Sequence, residues 1–524
     1  MRWITTGTIA IAALAAAAWA STAQELPRGR YETRGITMTL GRDGSVTFTS
    51  ARGTLVSGSY RVDGATIVFR DESGLVACPG QDGRYEWSYA ADTLRFRLVD
   101  DPCEGRRGAL ALPWARLPGA LVLTSATVID GTGAPPRPGT TVVIQDGVIA
   151  AVHPDGAAPL PEDATARDLR GHWVLPGLID AHVHVATNPS AQDRREVTER
   201  RLRNALRGGV VAVRDMGGDA RALADLARAA AAGDIEAPTI VYSAIIAGPE
   251  FFRDPRVRAS SAGLTPGTAP WARAVTDTSD LRQVIAEARG AGARGVKLYA
   301  DLDSAAIRRV AAEARRQGLR VWAHLALMPA RPSDVVAGGV HVASHSVLLA
   351  WEKSAELPGY ERRADVDFAT TEDHPAVQRV LASMRANDVL FEPTLFVYRA
   401  ASARDTAVAR QREALAFAMT RAAHRAGVRI VAGTDGLGSD RDGALPNLHE
   451  ELRLLVEGAG LSPMDALVAA TRNAAEAAGI EATHGTIAPG KAADLLVLSA
   501  DPTADIRNTR EIALVLRRGR VVER

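Results

Sequence analysis

The sequence predicts an α/β protein: a (β/α)8 TIM barrel with a discontinuous β-sandwich domain, plus an extra N-terminal small all-β domain. Three observations predict it. Across residues 173–482, short apolar segments alternate with amphipathic helical stretches, as a parallel sheet with crossover helices requires. On both sides of that region, at 118–172 and 483–524, lie β-rich flanks with tight glycine turns. Ahead of them, residues 24–117 alternate apolar and polar residues between Asp-Gly turns and contain no long helical pattern.

Residues 1–23 read as a secretory signal. Arg2 supplies a positive start, residues 9–18 an apolar stretch, and Ser21-Thr22-Ala23 a small-residue cleavage site. The apolar run is short and alanine-rich for a membrane span, which needs ~20 residues. The mature protein is therefore expected to be exported, periplasmic or secreted, with no membrane span after cleavage. Its formal net charge of +1 provides no overall field for nucleic acid or anionic lipid, so a small-molecule substrate is the expected partner. Whether it forms a homo-oligomer is left open.

In the 24–117 domain, runs such as Ser45-Val-Thr-Phe-Thr-Ser, Ala65-Thr-Ile-Val-Phe-Arg and Arg84-Tyr-Glu-Trp-Ser-Tyr predict a small antiparallel barrel or sandwich. The chain's only two cysteines, Cys78 and Cys103, both fall here. In an exported protein such a pair implies a disulfide worth roughly 3 kcal/mol, two buried thiols being the alternative. No catalytic cluster stands out in this domain.

Eight strands are expected in the barrel, at 174–180, 210–215, 239–246, 295–299, 320–324, 341–345, 389–393 and 429–434. Helices at 280–291, 304–316 and 463–478 fall between or after them. Active sites of such barrels lie at the C-terminal strand ends. There the sequence places His182 and His184, Lys297, His324, His345 and Asp435. His182 and His184 are two apart on a strand, so they share a face, and paired imidazoles suit zinc and its neighbours. His341 stands at a strand start and is left out of the site.

Lys297 is conspicuous because only it, Lys353 and Lys491 are lysines among 62 lysines and arginines. A buried lysine amine can lose its proton, whereas guanidinium effectively cannot. A neutral amine can add CO2 and become an anionic carbamate that bridges two metals.

The segments Leu175-Pro-Gly-Leu-Ile-Asp-Ala-His-Val-His, Val213-Arg-Asp-Met-Gly-Gly, Ala432-Gly-Thr-Asp and Pro489-Gly-Lys-Ala-Ala-Asp-Leu resemble signatures of the metal-dependent amidohydrolase superfamily, in family order. The chain is most similar to its imidazolonepropionase-like and prolidase-like branch. The resemblance covers about residues 121–522 and omits the N-terminal β-domain. It implies two divalent metal ions, usually zinc. His182, His184 and Asp435 would hold one, His324 and His345 the other, with carbamylated Lys297 and a hydroxide as bridges. Asp435 would move the catalytic proton in hydrolysis of an amide or other C–N bond, such as an N-acyl amino acid, dipeptide or aryl amide. A mononuclear deaminase or cyclic-imidate hydrolase, and a lactonase or esterase on the same site, are the alternatives. Peptidase-like members often carry a tyrosine just after the histidine matching His324; here Leu325 follows, and Tyr299 is the candidate substitute in substrate binding. Two long rim loops, 247–279 and 348–374, bring Phe251, Phe252, Trp271, Trp351 and Tyr360 and are expected to shape specificity.

Overall fold

The structure is a computed structural model that describes residues 25–161, 163–186, 194–363, 365–369, 371–403, 406–436 and 438–523. The expected signal at 1–23 lies outside the described residues. The chain divides into two compact units, one of residues 1–120 with 159–165, the other of 121–158 with 166–524. The short 159–165 stretch, expected in the flank, thus groups with the first unit.

The first unit is a closed antiparallel barrel of eight strands: Gly29–Thr33, Ile36–Leu40, Ser45–Ser50, Gly53–Asp63, Thr66–Ser73, Asp82–Ala90, Thr93–Asp100 and Trp114–Arg116. Closure comes from the first strand pairing with the last, Tyr31 opposite Arg116. The apolar half of each alternating run turns inward. Phe48, Phe69, Tyr85, Phe96 and Trp114 meet edge to face at centroid distances of 5.5–6.5 Å, the arrangement the ring quadrupoles favour. Helix Glu104–Leu110 carries Arg106 inward, where its guanidinium bridges Asp71 (2.6 Å) and Asp101 (2.7 Å), all three side chains buried. Cys78 and Cys103 are joined in a disulfide, and their amides bond to Asp71 and Asp101.

In the second unit, both flanks join one hydrogen-bonded sheet. Its order is Val148–Pro154, Arg137–Gln145, Leu121–Val128, Trp173–Pro176, Leu495–Leu498, Ile512–Arg517, Arg520–Val521, with Thr165–Asp168 on Leu121–Val128. The expected barrel strand at 174–180 is thus divided: Trp173–Pro176 belongs to this sheet, beyond the flank's expected end at 172, and only Leu178–Val183 enters the barrel. Leu123, Val142 and Val174 share a core with Leu495, Val497 and Leu514 from the C-terminal flank.

The remainder has a TIM-barrel-like α/β fold. Strands Leu178–Val183, Val210–Asp215, Thr239–Ala247, Gly295–Leu298, Arg320–His324, Val342–Ser344 and Leu390–Glu392 pair in parallel in chain order. The expected eighth strand is not a regular one. Residues 429–436 touch both ends of the series through single parallel bridges, Phe391 to Ile430 and Val183 to Gly436. Backbone bonds still tie it to both neighbours, Val431 N to Phe391 O and Ala181 N to Ala432 O, but the Ala432 amide donates to Ala469 O outside the ladder. A Cβ on Gly433 would stand 2.8 Å from both His182 Cβ and Glu392 Oε1, so only glycine lets this segment pass the site.

Helix starts follow the acidic caps in the sequence. Asp280 and Asp303 accept amide bonds at the heads of Leu281–Gly290 and Ser304–Arg316. The expected helix 463–478 is two, Pro463–Ala469 and Arg472–Ala478, parted at Thr471, whose hydroxyl bonds back to Leu467 O. Nor are the rim loops structureless. The first contains turns of helix at Pro249–Arg253 and Pro255–Ser260, and a strand, Ala272–Ala274, added to Thr239–Ala247; the second contains Tyr360–Arg362. No helix among the described residues is long and apolar enough to cross a membrane.

Candidate metal centre

The C-terminal strand ends bring all six sequence-selected polar residues together. Asp435 Oδ1 lies 3.0 Å from His184 Nε2 and 3.5 Å from His182 Nε2, and its Oδ2 lies 3.9 Å from His345 Nδ1. The His182 ring is 5.1 Å from that of His345, which is 4.7 Å from that of His324. Among the described residues, His182, His184 and Asp435 form a group able to share one ion. Lys297 is fully buried beneath them. His341 is elsewhere: it stands before strand Val342–Ser344, and its Nδ1 accepts from the Val321 amide.

The hydrogen bonds around the imidazoles fix which nitrogen is available. His182 Nδ1 faces Glu392 Oε2 at 2.7 Å, and His324 Nδ1 faces Tyr299 O at 2.8 Å. His345 Nδ1 is 3.0 Å from Thr394 Oγ1, whose own proton goes to Pro393 O. Carboxylate, carbonyl and committed hydroxyl all act as acceptors here, so each Nδ1 carries the proton and each Nε2 keeps a lone pair. His182 Nε2 is buried without a hydrogen-bond partner. An orphaned buried lone pair among three other imidazoles and a carboxylate is the donor set a divalent metal takes, so the residues fit the group.

Electrostatics favour neutral imidazole at three of the four histidines; at His184 burial lowers the pKa but Asp435 outweighs it and raises it. Burial holds His324 and His345 well below the ordinary imidazole range, which keeps them neutral. It also lowers His182, against the pull of Glu392 and Asp435. Burial raises Asp435, yet the histidines around it overrule that and hold its carboxyl far below the usual range. Lys297 is pushed down by burial to about 7.

Beneath the rim runs a buried polar network that the sequence reading passed over. Glu392 accepts from Arg214 Nη2 (2.7 Å), His182 Nδ1 (2.7 Å) and Ser344 Oγ (2.8 Å). Ser344 Oγ in turn accepts from Lys297 Nζ at 3.0 Å. Arg214 also donates to Ala181 O and Ala477 O and lies 4.7 Å over the Trp322 ring. Burial raises Glu392, but Arg214, His182 and Lys297 bring it down to about 2. The available signal was a charge inside an apolar strand, Val389-Leu-Phe-Glu-Pro-Thr. Asp215, at the end of strand Val210–Asp215, takes the amides of Val185 and Ala186 and so fixes the chain leaving His184.

A cavity of about 470 Å³ opens over His184, His324, His345 and Asp435. Phe251, Tyr299 and Tyr360 line it, the Phe251 ring being 4.7 Å from Tyr299 and 5.3 Å from Tyr360. Arg363 and Arg412 also line it, Arg363 lying 3.9 Å over the Tyr360 ring. Trp271 and Trp351 do not line it; their indoles donate to Ser260 O and Arg363 O and hold the loops.

Comparison with known proteins places this site in context. An imidazolonepropionase of Chloroflexus aggregans is 27% identical over 453 residues, 77% of this chain and 98% of that one. A dihydroorotase of Anaeromyxobacter sp. strain K is 38% identical over 122 residues, 22% of this chain; the match spans only 26% of that enzyme. A crystal structure of a putative prolidase from Bifidobacterium longum superposes with a TM-score of 0.58 at 25% identity, covering 78% of this chain and 95% of that one. Residues 173–522 match the amidohydrolase family, a family that generally binds divalent metals. With that match over most of its length, the chain belongs to the amidohydrolase family.

Proposed function

We propose that the protein is an exported, metal-dependent amidohydrolase that cleaves an amide or related C–N bond of a small molecule. The orphaned Nε2 of His182 among His184, His324, His345 and Asp435 carries this reading. His182, His184 and Asp435 would hold one divalent ion, zinc by ligand type, and His324 and His345 a second. Lys297 would serve both as a carbamate: its neutral Nζ would form a bond to the carbon of CO2, one C–O π pair moving to oxygen and one N–H proton leaving to solvent. Ions bound there supply an acidified water and polarise the scissile carbonyl. Asp435 takes a proton from the attacking water and gives it to the leaving nitrogen as the C–O bond forms and the C–N bond breaks.

The cavity lining supports the substrate class. Phe251, Tyr299, Tyr360, Val347 and Leu348 provide an apolar wall, and Arg363 and Arg412 provide positive charge. An N-acyl amino acid or dipeptide with an apolar side chain and a free carboxylate matches that surface better than a neutral aryl amide. Tyr299 contributes to this substrate wall. Purified protein should contain two zinc ions per chain and hydrolyse members of a panel of N-acyl amino acids and dipeptides. One ion per chain with deaminase activity would favour the mononuclear alternative, and turnover confined to lactones or esters would replace the amide reading. Export is tested by the mature mass: a chain beginning near Gln24 is expected, and a retained Met1 would overturn it.

A further inference from the structure

The interior of the barrel contains a serine whose hydroxyl is bonded, among the described residues, to the lysine and the glutamate. Ser344 lies at the end of strand Val342–Ser344, fully buried, immediately before His345. Its hydroxyl proton goes to Glu392 Oε2, 2.8 Å away. An ionised carboxylate only accepts, so that proton has no alternative direction. Glu392 cannot swing, because Arg214 and His182 hold its two oxygens, and Arg214 is itself pinned to Ala181 O and Ala477 O. The hydroxyl is therefore locked as an acceptor toward Lys297 Nζ, 3.0 Å off.

The direction of that bond has a chemical consequence. A hydroxyl free to rotate could donate to the amine lone pair and so occupy the electrons that must attack CO2. A hydroxyl already committed to Glu392 can only take an N–H, leaving the lone pair unblocked. The bond also survives the reaction. A primary amine has two N–H protons and its carbamate retains one, so the same N–H···Oγ contact can orient both forms.

We infer that Ser344, locked by Glu392 and Arg214, is the positioning residue for carbamylation of Lys297: it orients Nζ with its lone pair free and then holds the carbamate by its remaining N–H. This rests on the carbamate reading of Lys297 given above. Ser344 itself touches neither substrate nor reacting atoms of hydrolysis.

The test uses full-length protein stripped of metal and reconstituted with zinc and 13C-labelled bicarbonate. The readouts are the carbamate carbon signal by 13C NMR and zinc per chain, each against bicarbonate concentration. The unsubstituted protein should show one carbamate carbon per chain, absent in Lys297→Ala. Ser344→Ala should need at least fivefold more bicarbonate for half-maximal carbamate and zinc uptake, then approach full loading at saturation, because the amine is still present. Ser344→Cys, which substitutes a weaker acceptor of similar size, should fall between and covers the case in which the alanine variant does not fold. A bicarbonate requirement within twofold of the unsubstituted protein in Ser344→Ala, or in Ser344→Cys where the alanine variant does not fold, overturns the role of Ser344 while leaving the carbamate intact. Absence of the carbon signal in the unsubstituted protein overturns the carbamate itself, and the two failures are thereby distinct.

Discussion

Arg214→Met is the perturbation that most directly probes the buried network. Arg214 and Glu392 are both fully buried, 2.7 Å apart. Removing the guanidinium leaves Glu392 as a buried carboxylate without its counter-charge, a change that typically costs about 3–5 kcal/mol. Ala181 O also loses the Arg214 donor, worth roughly 1 kcal/mol where water does not replace it, whereas Ala477 O keeps the Trp322 indole as a donor. A loss of at least about 3 kcal/mol is expected. Glu392→Gln alone should also destabilise, by stranding Arg214. The double variant should cost less than the sum of the two, with a coupling of about 2 kcal/mol or more, since it removes the charge and its partner together. Urea unfolding of chelator-treated protein, followed by circular dichroism, measures these costs. With two compact units, the relevant transition is the one that zinc addition shifts upward. A single-variant cost below about 1 kcal/mol, or strict additivity, would refute the argument that this pair is a locked charge pair.

Four other outcomes follow from the same structure. Lys297→Arg should lose metal and nearly all turnover despite conserving formal charge, because a fully buried guanidinium cannot add CO2; two ions per chain with normal rates in this variant would end the carbamate reading. Asp435→Asn should lower turnover by about 10²-fold or more while the far-ultraviolet spectrum is unchanged, a near-normal rate being the contrary result. Opening the disulfide, with its sequence separation of 25 residues, by Cys78→Ser with Cys103→Ser should cost the N-terminal barrel about 3.5 kcal/mol; a change under 1 kcal/mol in its urea transition contradicts this. Asp101 gives the pH sign: burial raises its pKa, but Arg106, Tyr85 and the Cys103 amide leave it lower than usual. Its stabilisation is then full above its ordinary value of 3.8 and lost as pH falls through the depressed folded value, so Asp101→Asn should flatten the acid side of the stability profile.

How much of this was legible in the sequence depends on which physical signal each part leaves. His182 and His184 were readable because a period of two puts both on one strand face. Lys297 was readable because arginine is used almost everywhere else. The N-terminal barrel was readable from alternation, and its filled aromatic interior follows from the inward phase of the same runs. The irregular eighth segment was not readable. Residues 429–434 carry a strand-like apolar pattern, but the pattern comes from burial in the barrel, and burial alone does not force a ladder. The split at Thr471 was hidden for a similar reason, since apolar periodicity continues on both sides of it. Glu392 and Ser344 lie beyond periodicity altogether. Their roles come from partners 210, 178 and 47 residues away, and no local pattern encodes a contact at that distance.

The backbone of the rim ties the unreadable part to the readable part. His345, Thr394 and Asp435 close three successive strand ends, and all three have positive φ, at 78°, 55° and 55°. None is glycine, so each conformation is held at a cost of order 1 kcal/mol or more. What holds them is the network itself. The His345 amide donates to Glu392 O, and the Asp435 amide donates to His182 O. Thr394 accepts from His345 Nδ1, and Glu451 accepts the two amides that follow Thr394. The strain therefore sits where the imidazoles and the carboxylate must turn inward from parallel strands that would otherwise carry them outward or past one another. Glu392 fixes the His182 ring by its side chain and the His345 turn by its carbonyl, so one residue links two ligand positions that the sequence shows only as separate histidines. A substitution at Glu392 should therefore release the His182 ring directly, while the main-chain bond to the His345 amide remains and keeps that turn in place.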